Sequence, residues 1–255
     1  MISIRIFLRK KAVFPSAGHL ICIGPMRYYP IFLNLARKKC LVVGAGQVGR
    51  RKIATLASCG AHEVLVLDVA PLSPSGAAIL DHACVRFEQR PFAPDDLDGR
   101  FLVIASTSDE ELNWRISRLC EERGIPCNIV DQPEKCSFIV PALFTQGDLT
   151  LAVSTGGSSP ALARKIRRDL GDSFGTQYGA FLTLMGRLRP LVLGLGQGTD
   201  HNSELFRAIV DSPLLDAIKG RDIPTALSIL RSILPESLHG QIEAMVMGVM
   251  HDDAG

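Results

Sequence analysis

An apolar run that leads directly into a glycine turn is the feature that most constrains the fold of this chain. Residues 38–52 read KKCLVVGAGQVGRRK, and the glycines follow the spacing G-x-G-x-x-G. Between a strand and a helix, the first glycine permits a tight turn and the second lets a pyrophosphate approach the backbone. The third packs the helix closely on the strand. The pattern predicts a strand at 41–43, a helix over 47–58 and a dinucleotide-binding turn at Gly44, Gly46 and Gly49.

The second predicted strand ends in an acid. EVLVLD, residues 63–68, is a further apolar run, and Asp68 follows Gly49 by 19 residues. A carboxylate at this place binds the adenosine ribose and repels a 2′-phosphate. Because no Lys or Arg follows Asp68 closely, the sequence favours NAD over NADP. The alternative is a glycine turn that serves the fold alone, without a cofactor.

The rest of the chain predicts an α/β fold followed by helices. Strands are expected at 84–90, 100–107 and 126–131, and a helix at 108–124 with Trp114 as a core residue. Strands that alternate with helices indicate a Rossmann-type, doubly wound parallel sheet. Two strand-like runs within 136–155 flank a Gln-Gly-Asp turn. Helical patterns then occur at 159–170, 174–193, 203–219, 222–234 and 237–251.

These patterns divide the chain into four parts. Residues 1–25 are interpreted as a disordered or mis-assigned N-terminal extension, and residues 26–139 as an NAD-binding Rossmann domain. Residues 140–172 are interpreted as a small dimerisation segment, and residues 173–255 as a helical C-terminal domain.

Composition excludes several classes of protein. The apolar fraction of 47% is enough for a buried core, and the net charge of +2 gives no nucleic-acid footprint. None of the seven cysteines forms a C-x-x-C pair, so no metal site is predicted and reduced thiols are expected. No uncharged apolar run approaches the roughly 20 residues that span a bilayer. The sequence therefore predicts a cytoplasmic protein that binds neither nucleic acid nor membrane.

Two basic clusters and one acid leave alternatives open. Residues 50–52 place three cations in the first turn of a helix, where the macrodipole disfavours them, and a second cluster lies within 164–168. Each cluster is either a solvated charge run or a site for anionic groups. Asp131 ends the fifth predicted strand, where a carboxylate could accept a proton. It could equally form a turn before Gln132-Pro133.

Four segments together resemble the siroheme-synthase family. They read YPIFLNLARKKCLVVGAGQVGRRK, IASTSDEELNWRIS, CNIVDQPEKCSFIVPA and LAVSTGGSSPALARKIR, in family order over roughly residues 28–170. The family comprises precorrin-2 dehydrogenases, some of which are also sirohydrochlorin ferrochelatases. The resemblance implies a homodimer that uses NAD to dehydrogenate precorrin-2 to sirohydrochlorin. It also implies ferrous or cobaltous ion as a further substrate where the second activity is present, and a separate methyltransferase upstream.

The resemblance also assigns individual residues. It implies that Asp131 is catalytic in dehydrogenation and, where present, in chelation. Besides the three glycines, the implied cofactor contacts are Gln47, Val48, Asp68, Val69 and Thr107, with Pro71-Leu72 as another register for the ribose segment. The implied substrate contacts are Asn128, Ser154, Thr155, Gly156 and Arg164.

Two other functions are compatible with parts of this pattern. A non-catalytic NAD-sensing regulatory module would keep the glycine turn but would not need Asp131 or the stretch STGGSSPALARK. A monofunctional chelatase would not need the glycine turn or Asp68, and both are present.

Overall fold

The computed structural model describes residues 27–74, 76–130, 132 and 135–252. The predicted N-terminal extension, residues 1–25, and the predicted catalytic Asp131 lie outside the described residues. The chain divides into two compact units, with the boundary between Leu102 and Val103. The division into four parts that the sequence predicts stays a prediction.

A five-stranded sheet has the order β3-β2-β1-β4-β5. The pairs β1–β2, β2–β3 and β4–β5 are parallel. The strand order reverses after β1, as in dinucleotide-binding sheets, which confirms the predicted Rossmann-type fold. The strands are β1 Lys39–Val43, β2 Glu63–Asp68, β3 Val85–Gln89, β4 Leu102–Ala105 and β5 Cys127–Ile129.

Two helices accompany this sheet. Helix α1, Gln47–Ser58, follows the glycine turn and buries Gly49, Ile53 and Leu56 along one stripe. Helix α2, Glu110–Glu122, begins at Asp109, whose carboxylate accepts from the N–H of Leu112. Among the described residues between β2 and β3, the helical element is a five-residue 3₁₀ turn, Ala77–Asp81.

A separate hairpin follows the sheet. Strands β6, Ala142–Gln146, and β7, Leu149–Val153, are antiparallel and form a two-stranded sheet of their own. Their turn contains Gly147 at φ +56°, a conformation that favours glycine. Helix α3, Pro160–Ser173, contacts both strands and starts at Ser159, which accepts from the N–H of Leu162.

Five α-helices make up most of the remaining described chain and enclose a hydrophobic core between Ala180 and Met250. One prediction for this part is wrong: the single helix at 203–219 is two helices. The break falls at Ser212-Pro213, where the chain becomes extended at Ser212 and Pro213 has no N–H to continue a helix. The helices are α4 Thr176–Gly194, α5 Thr199–Asp211, α6 Leu214–Lys219, α7 Ile223–Ile233 and α8 His239–Asp252.

Within the described ranges, no helix is long and apolar enough to cross a membrane. The same residues contain no group of three or more His, Cys, Asp or Glu side chains placed to hold a metal ion.

Candidate dinucleotide site and active site

The turn after β1 requires glycine at its first position. Gly44 has φ +100°, which a side chain would strain, and its N–H donates to the carbonyl of Leu67 at 2.8 Å. The turn is therefore tied to the end of β2 as soon as the chain leaves β1.

Open space lies over the second glycine, at the beginning of α1. Gly46 precedes the helix with φ −64°, and a Cβ built on it would meet no atom within 4 Å. Gly46 has no side chain that could cap the first N–H groups of α1, and the first turn of the helix contains no acid. Uncapped N–H groups and the positive end of the helix dipole favour an anion. The residues present therefore fit a pyrophosphate at this turn.

Asp68 lies at the end of β2, and both of its oxygens accept backbone hydrogen bonds. Oδ2 accepts from the N–H of Ala45 at 2.7 Å, and Oδ1 accepts from the N–H of Ala70 at 2.9 Å. Each carboxylate oxygen has a further lone pair, so a ribose hydroxyl can still donate to it. Asp68 therefore belongs to β2 by position and is bound to the glycine turn by a hydrogen bond.

The other predicted cofactor residues of this unit surround the same turn. Gln47 is exposed, Val48 is half-buried and the Val69 side chain is 70% exposed. The carbonyl of Val69 accepts from Gln89 Nε2 at 3.4 Å. The bond from Ala45 to Asp68 therefore brings the glycine turn and this acid together, while the roles of all these residues stay predictions.

Thr107, predicted to contact the cofactor, is held by a buried amide that sequence reasoning missed. Its N–H and its hydroxyl both lie within hydrogen-bond distance of Asn113 Oδ1, and Asn113 Nδ2 donates to the Thr107 carbonyl at 2.9 Å. Asn113 occupies the buried stripe of α2 beside Ile116 and Cys120. Asn113 is a polar residue at a position where the helical repeat of Ile116 and Cys120 predicts an apolar one, and this pattern could have identified it.

Asn128, predicted to contact substrate, is 7% exposed and donates from Nδ2 to the carbonyl of Phe138 at 2.9 Å. One residue away, the Ser137 hydroxyl accepts from the Cys127 N–H at 2.7 Å, and the Ser137 N–H donates to the Cys127 carbonyl. Residues 137 and 138 are therefore fastened back onto β5 by hydrogen bonds. The Val130 N–H donates to Ala105, so strand pairing continues up to the residue before Asp131.

Two thiols beneath this segment influence each other. A hydrogen bond between Cys120 and Cys127 lowers the pKa of Cys120 and, together with burial, raises the pKa of Cys127. Cys136 Sγ lies 3.1 Å from both the N and the O of Ile129. The Cys120–Cys127 contact joins α2 to β5, and Cys136 joins the following segment to the end of β5.

Trp114 is exposed, and the prediction that it belongs to the core is wrong. Its side chain is 43% accessible, and its Nε1–H donates to Gln132 Oε1. The Ser117 hydroxyl, one turn further along α2, donates to the Lys135 carbonyl at 3.3 Å. This face of α2 therefore holds Gln132 and Lys135 by hydrogen bonds.

The predicted substrate residues 154–156 form the loop between β7 and α3. The Gly156 N–H donates to Ser154 Oγ at 3.1 Å, and the Ser159 N–H donates to Thr155 Oγ1 at 3.1 Å. Gly156 has φ +63°, a left-handed conformation that suits its glycine. The loop thus leads directly into the N-terminus of α3.

Arg164, the last predicted substrate residue, is exposed on α3, and its Nε donates to the carbonyl of Pro160 at 3.3 Å. Lys165 in the same basic cluster forms an ion pair of 2.6 Å with Asp169. This pair is open to solvent and stabilises the helix by a few tenths of a kcal/mol, on the order of 0.5. The guanidinium of Arg164 keeps its outer face open to an anionic group.

Comparison with known proteins agrees with this geometry. Residues 31–142 match the NAD(P)-binding family, and residues 146–173 match the family described as sirohaem biosynthesis protein central. The siroheme synthase of Thioalkalivibrio sulfidiphilus is 37% identical over 77% of this chain and 40% of its own length. Siroheme synthase 2 of Klebsiella pneumoniae is 32% identical over 90% of this chain and 50% of its own length.

A solved structure has the same fold. The structure described as SirC, precorrin-2 dehydrogenase superposes with a TM-score of 0.66 at 23% identity, over 81% of this chain and 98% of that one. The glycine turn, the acid at the end of β2 and the parallel sheet define a Rossmann-type protein of the NAD(P)-binding class. The chain belongs to the siroheme synthase family, and it spans 40% to 50% of the length of the two relatives described above.

Proposed function

We propose that this protein uses NAD to dehydrogenate precorrin-2 to sirohydrochlorin. The observation that carries the proposal is the bond from Ala45 to Asp68, which joins an open glycine turn to the acid at the end of β2. We assign the ribose of the cofactor to this acid. Relatives named siroheme synthase and the fold shared with a precorrin-2 dehydrogenase support the choice of substrate.

NAD is proposed over NADP because of the charge at the end of β2. The Asp68 carboxylate would accept from the ribose 2′-hydroxyl of NAD and repel a phosphate on the same oxygen. Its two backbone hydrogen bonds fix its direction, so it cannot turn away cheaply from an added phosphate.

For this dehydrogenation the chain must hold NAD and the macrocycle together and accept one proton. NAD supplies the hydride acceptor when bound. A proton leaves the macrocycle along with the hydride, and we assign its acceptance to Asp131, the residue that directly follows Val130 at the carboxyl end of β5. Parallel α/β sheets bind ligands at that end of their strands.

The carboxylate-rich macrocycle has suitable partners in the loop before α3 and in Arg164. The loop offers hydroxyl and N–H donors, and the exposed guanidinium offers a charge-assisted bond. Asn128 is assigned an indirect part, because its amide is already engaged in fastening residue 138 to β5.

A homodimer accompanies the proposal. Helix α3 contacts both strands of the hairpin β6–β7, but neither strand contains a fully buried residue. A second copy that covers this hairpin would bury its half-exposed apolar side chains. Light scattering of the full chain should give twice 27.6 kDa, and a monomer mass would contradict the dimer.

The deciding experiment is anaerobic incubation of the purified protein with precorrin-2, with and without NAD, followed by absorbance spectroscopy. Sirohydrochlorin and NADH should form together, and only when NAD is present. Nucleotide binding without turnover would instead favour an NAD-sensing module. Addition of ferrous or cobaltous ion to the product then tests whether this chain also inserts metal.

A further inference from the structure

The side chain of Arg50, on α1, contacts Ser73 in the segment that follows β2. Arg50 lies in the first turn of the helix, and its Nη1 donates to Ser73 Oγ at 3.0 Å. No Lys or Arg lies between Asp68 and His82 in the sequence. The structure thus brings positive charge to this segment from a residue 23 positions earlier.

The turn around Ser73 is built for this close approach. A Cβ at Gly76 would lie 3.2 Å from Arg50 Nη1 and 3.1 Å from Ser73 Oγ, so glycine leaves the room that the guanidinium uses. The Gly76 N–H also donates to the Ser73 carbonyl at 2.7 Å. Arg50 and Ser73 are therefore held in a defined arrangement.

Asp68 is fixed to the same segment. Its Oδ1 accepts from the N–H of Ala70, and the carbonyl of Val69 accepts from Gln89. Asp68, the proposed acceptor of the ribose hydroxyl, and Ser73, the hydrogen-bond partner of Arg50, therefore lie five residues apart, at and just after the end of β2.

We infer that Arg50 and Ser73 form a binding pair for a phosphate monoester on the adenosine 2′ oxygen, the group that distinguishes NADP from NAD. The inference rests on the proposed binding of a dinucleotide at the glycine turn. An arginine near the ribose accommodates a 2′-phosphate in Rossmann-type sheets, and a hydroxyl adds a second donor. An anion there would also offset the cost of cations in the first turn of a helix.

Discrimination between the two cofactors is then a balance between two opposite charges. Asp68 repels the 2′-phosphate, and Arg50 attracts it. NADP is consequently a weaker ligand than NAD, but a measurable one, and the preference changes when either charge is removed.

The test is titration calorimetry on the full chain with NAD, NADP, AMP and adenosine 2′,5′-bisphosphate. Arg50→Ala should weaken NADP and the bisphosphate about tenfold or more, the loss of one charge-assisted bond, and change NAD and AMP about twofold at most. Ser73→Ala should act in the same direction more weakly. Arg51→Ala, which removes the same charge from the next, exposed position, should leave the ratio of NADP to NAD affinity unchanged.

A double-substitution cycle completes the test. Asp68→Asn should raise the ratio of NADP to NAD affinity while Arg50 is present, and should raise it much less in the Arg50→Ala background. If Arg50→Ala weakens AMP and the bisphosphate equally, Arg50 only holds the Ser73 segment in place and does not contact the 2′-phosphate. That result would overturn the inference. A wild-type protein that binds NAD while Arg50→Ala leaves NADP unchanged would overturn the inference but not the proposed function. If the wild-type protein binds neither NAD nor AMP, both the inference and the proposed function are overturned.

Discussion

The carboxylate of Asp68 and the backbone N–H of Ala45 are joined by a hydrogen bond of 2.7 Å across 23 residues of chain. This bond connects the acid at the end of β2 to the glycine turn after β1. Because the same carboxylate also holds the Ala70 N–H, its direction is set before any ligand arrives. A preformed acceptor of this kind reduces the ordering cost of binding.

Substitution of Gly46 by Leu should block the cofactor without unfolding the protein. A side chain at this position meets open space and the backbone is extended, so the cost to stability should be at most about 1 kcal/mol. The same side chain would occupy the place of the pyrophosphate, and NAD binding should become undetectable by calorimetry. Gly186→Leu, at another glycine whose Cβ would meet open space, is the matched control and should bind NAD normally.

Substitution of Asp131 separates proton transfer from binding. Asp131→Ala should leave NAD affinity nearly unchanged, because the glycine turn and Asp68 are untouched. Dehydrogenation of precorrin-2 should fall about 10²–10⁴-fold, the usual contribution of a positioned acid–base group. Asp131→Asn keeps the shape but cannot accept a proton, and wild-type turnover in that variant would make Asp131 a turn residue.

Acid sensitivity should depend in part on Asp96. The Arg90 guanidinium bonds both carboxylate oxygens, at 2.6 and 2.8 Å, and lowers the pKa of Asp96, with the Ala93 N–H adding to the effect. A lowered pKa in the folded state contributes stability above the unfolded value, near 4, and this contribution is lost as pH falls through the folded value. Asp96→Asn should therefore cost about 1–2 kcal/mol at pH 7, at the low end for a charged hydrogen bond because Arg90 is partly solvated.

Urea unfolding at pH 7, 5 and 3 measures this dependence. The difference between wild type and Asp96→Asn should shrink below about pH 4. Asp95→Asn, at an exposed neighbouring position, provides the control and should unfold like the wild type throughout. A difference that stays constant down to pH 3 would assign the effect of Asp96 to something other than its charge.

Thiol reactivity should distinguish Cys40 from Cys59. Burial in β1 raises the pKa of Cys40 to about 11, so at pH 8 only about one molecule in a thousand carries the reactive thiolate there. Cys59 is exposed at the end of α1. A short iodoacetamide pulse with peptide mass spectrometry should modify Cys59 in the native protein and Cys40 only in denaturing urea. Native labelling of both at one rate would show that β1 opens readily.

Local patterns sufficed for the elements around the glycine turn. Helix α1 spans Gln47–Ser58 and strand β2 spans Glu63–Asp68, the bounds that the sequence predicts. Gly46 and Gly60 mark the two ends of the helix, and acids at both ends of an apolar run mark the strand. The helix predicted at 203–219 failed because the apolar period continues through Pro213, while its missing N–H ends the helix.

Interactions between distant residues could not be predicted in the same way. Hydropathy alone favours Trp114 as a core residue, but the buried stripe of α2 contains Asn113, which is needed to satisfy the backbone of Thr107. The bonds from Ala45 to Asp68 and from Arg50 to Ser73 each join residues 23 positions apart. The hydrophobic pattern of the sequence does not predict these two hydrogen bonds, because they depend on how β1, α1 and β2 pack.

The core of α4–α8 has a consequence for how this part of the chain opens. Its buried members all lie between Ala180 and Met250, with Leu188 and Leu230 fully enclosed. Because these side chains form one packed cluster, the helices that carry them should open cooperatively. Amide hydrogens across these helices should therefore exchange with solvent at one shared rate. A cavity at Leu188→Ala, at a cost of about 2–5 kcal/mol, would then accelerate exchange in α8 as much as in α4, although some 50 residues of sequence separate the two.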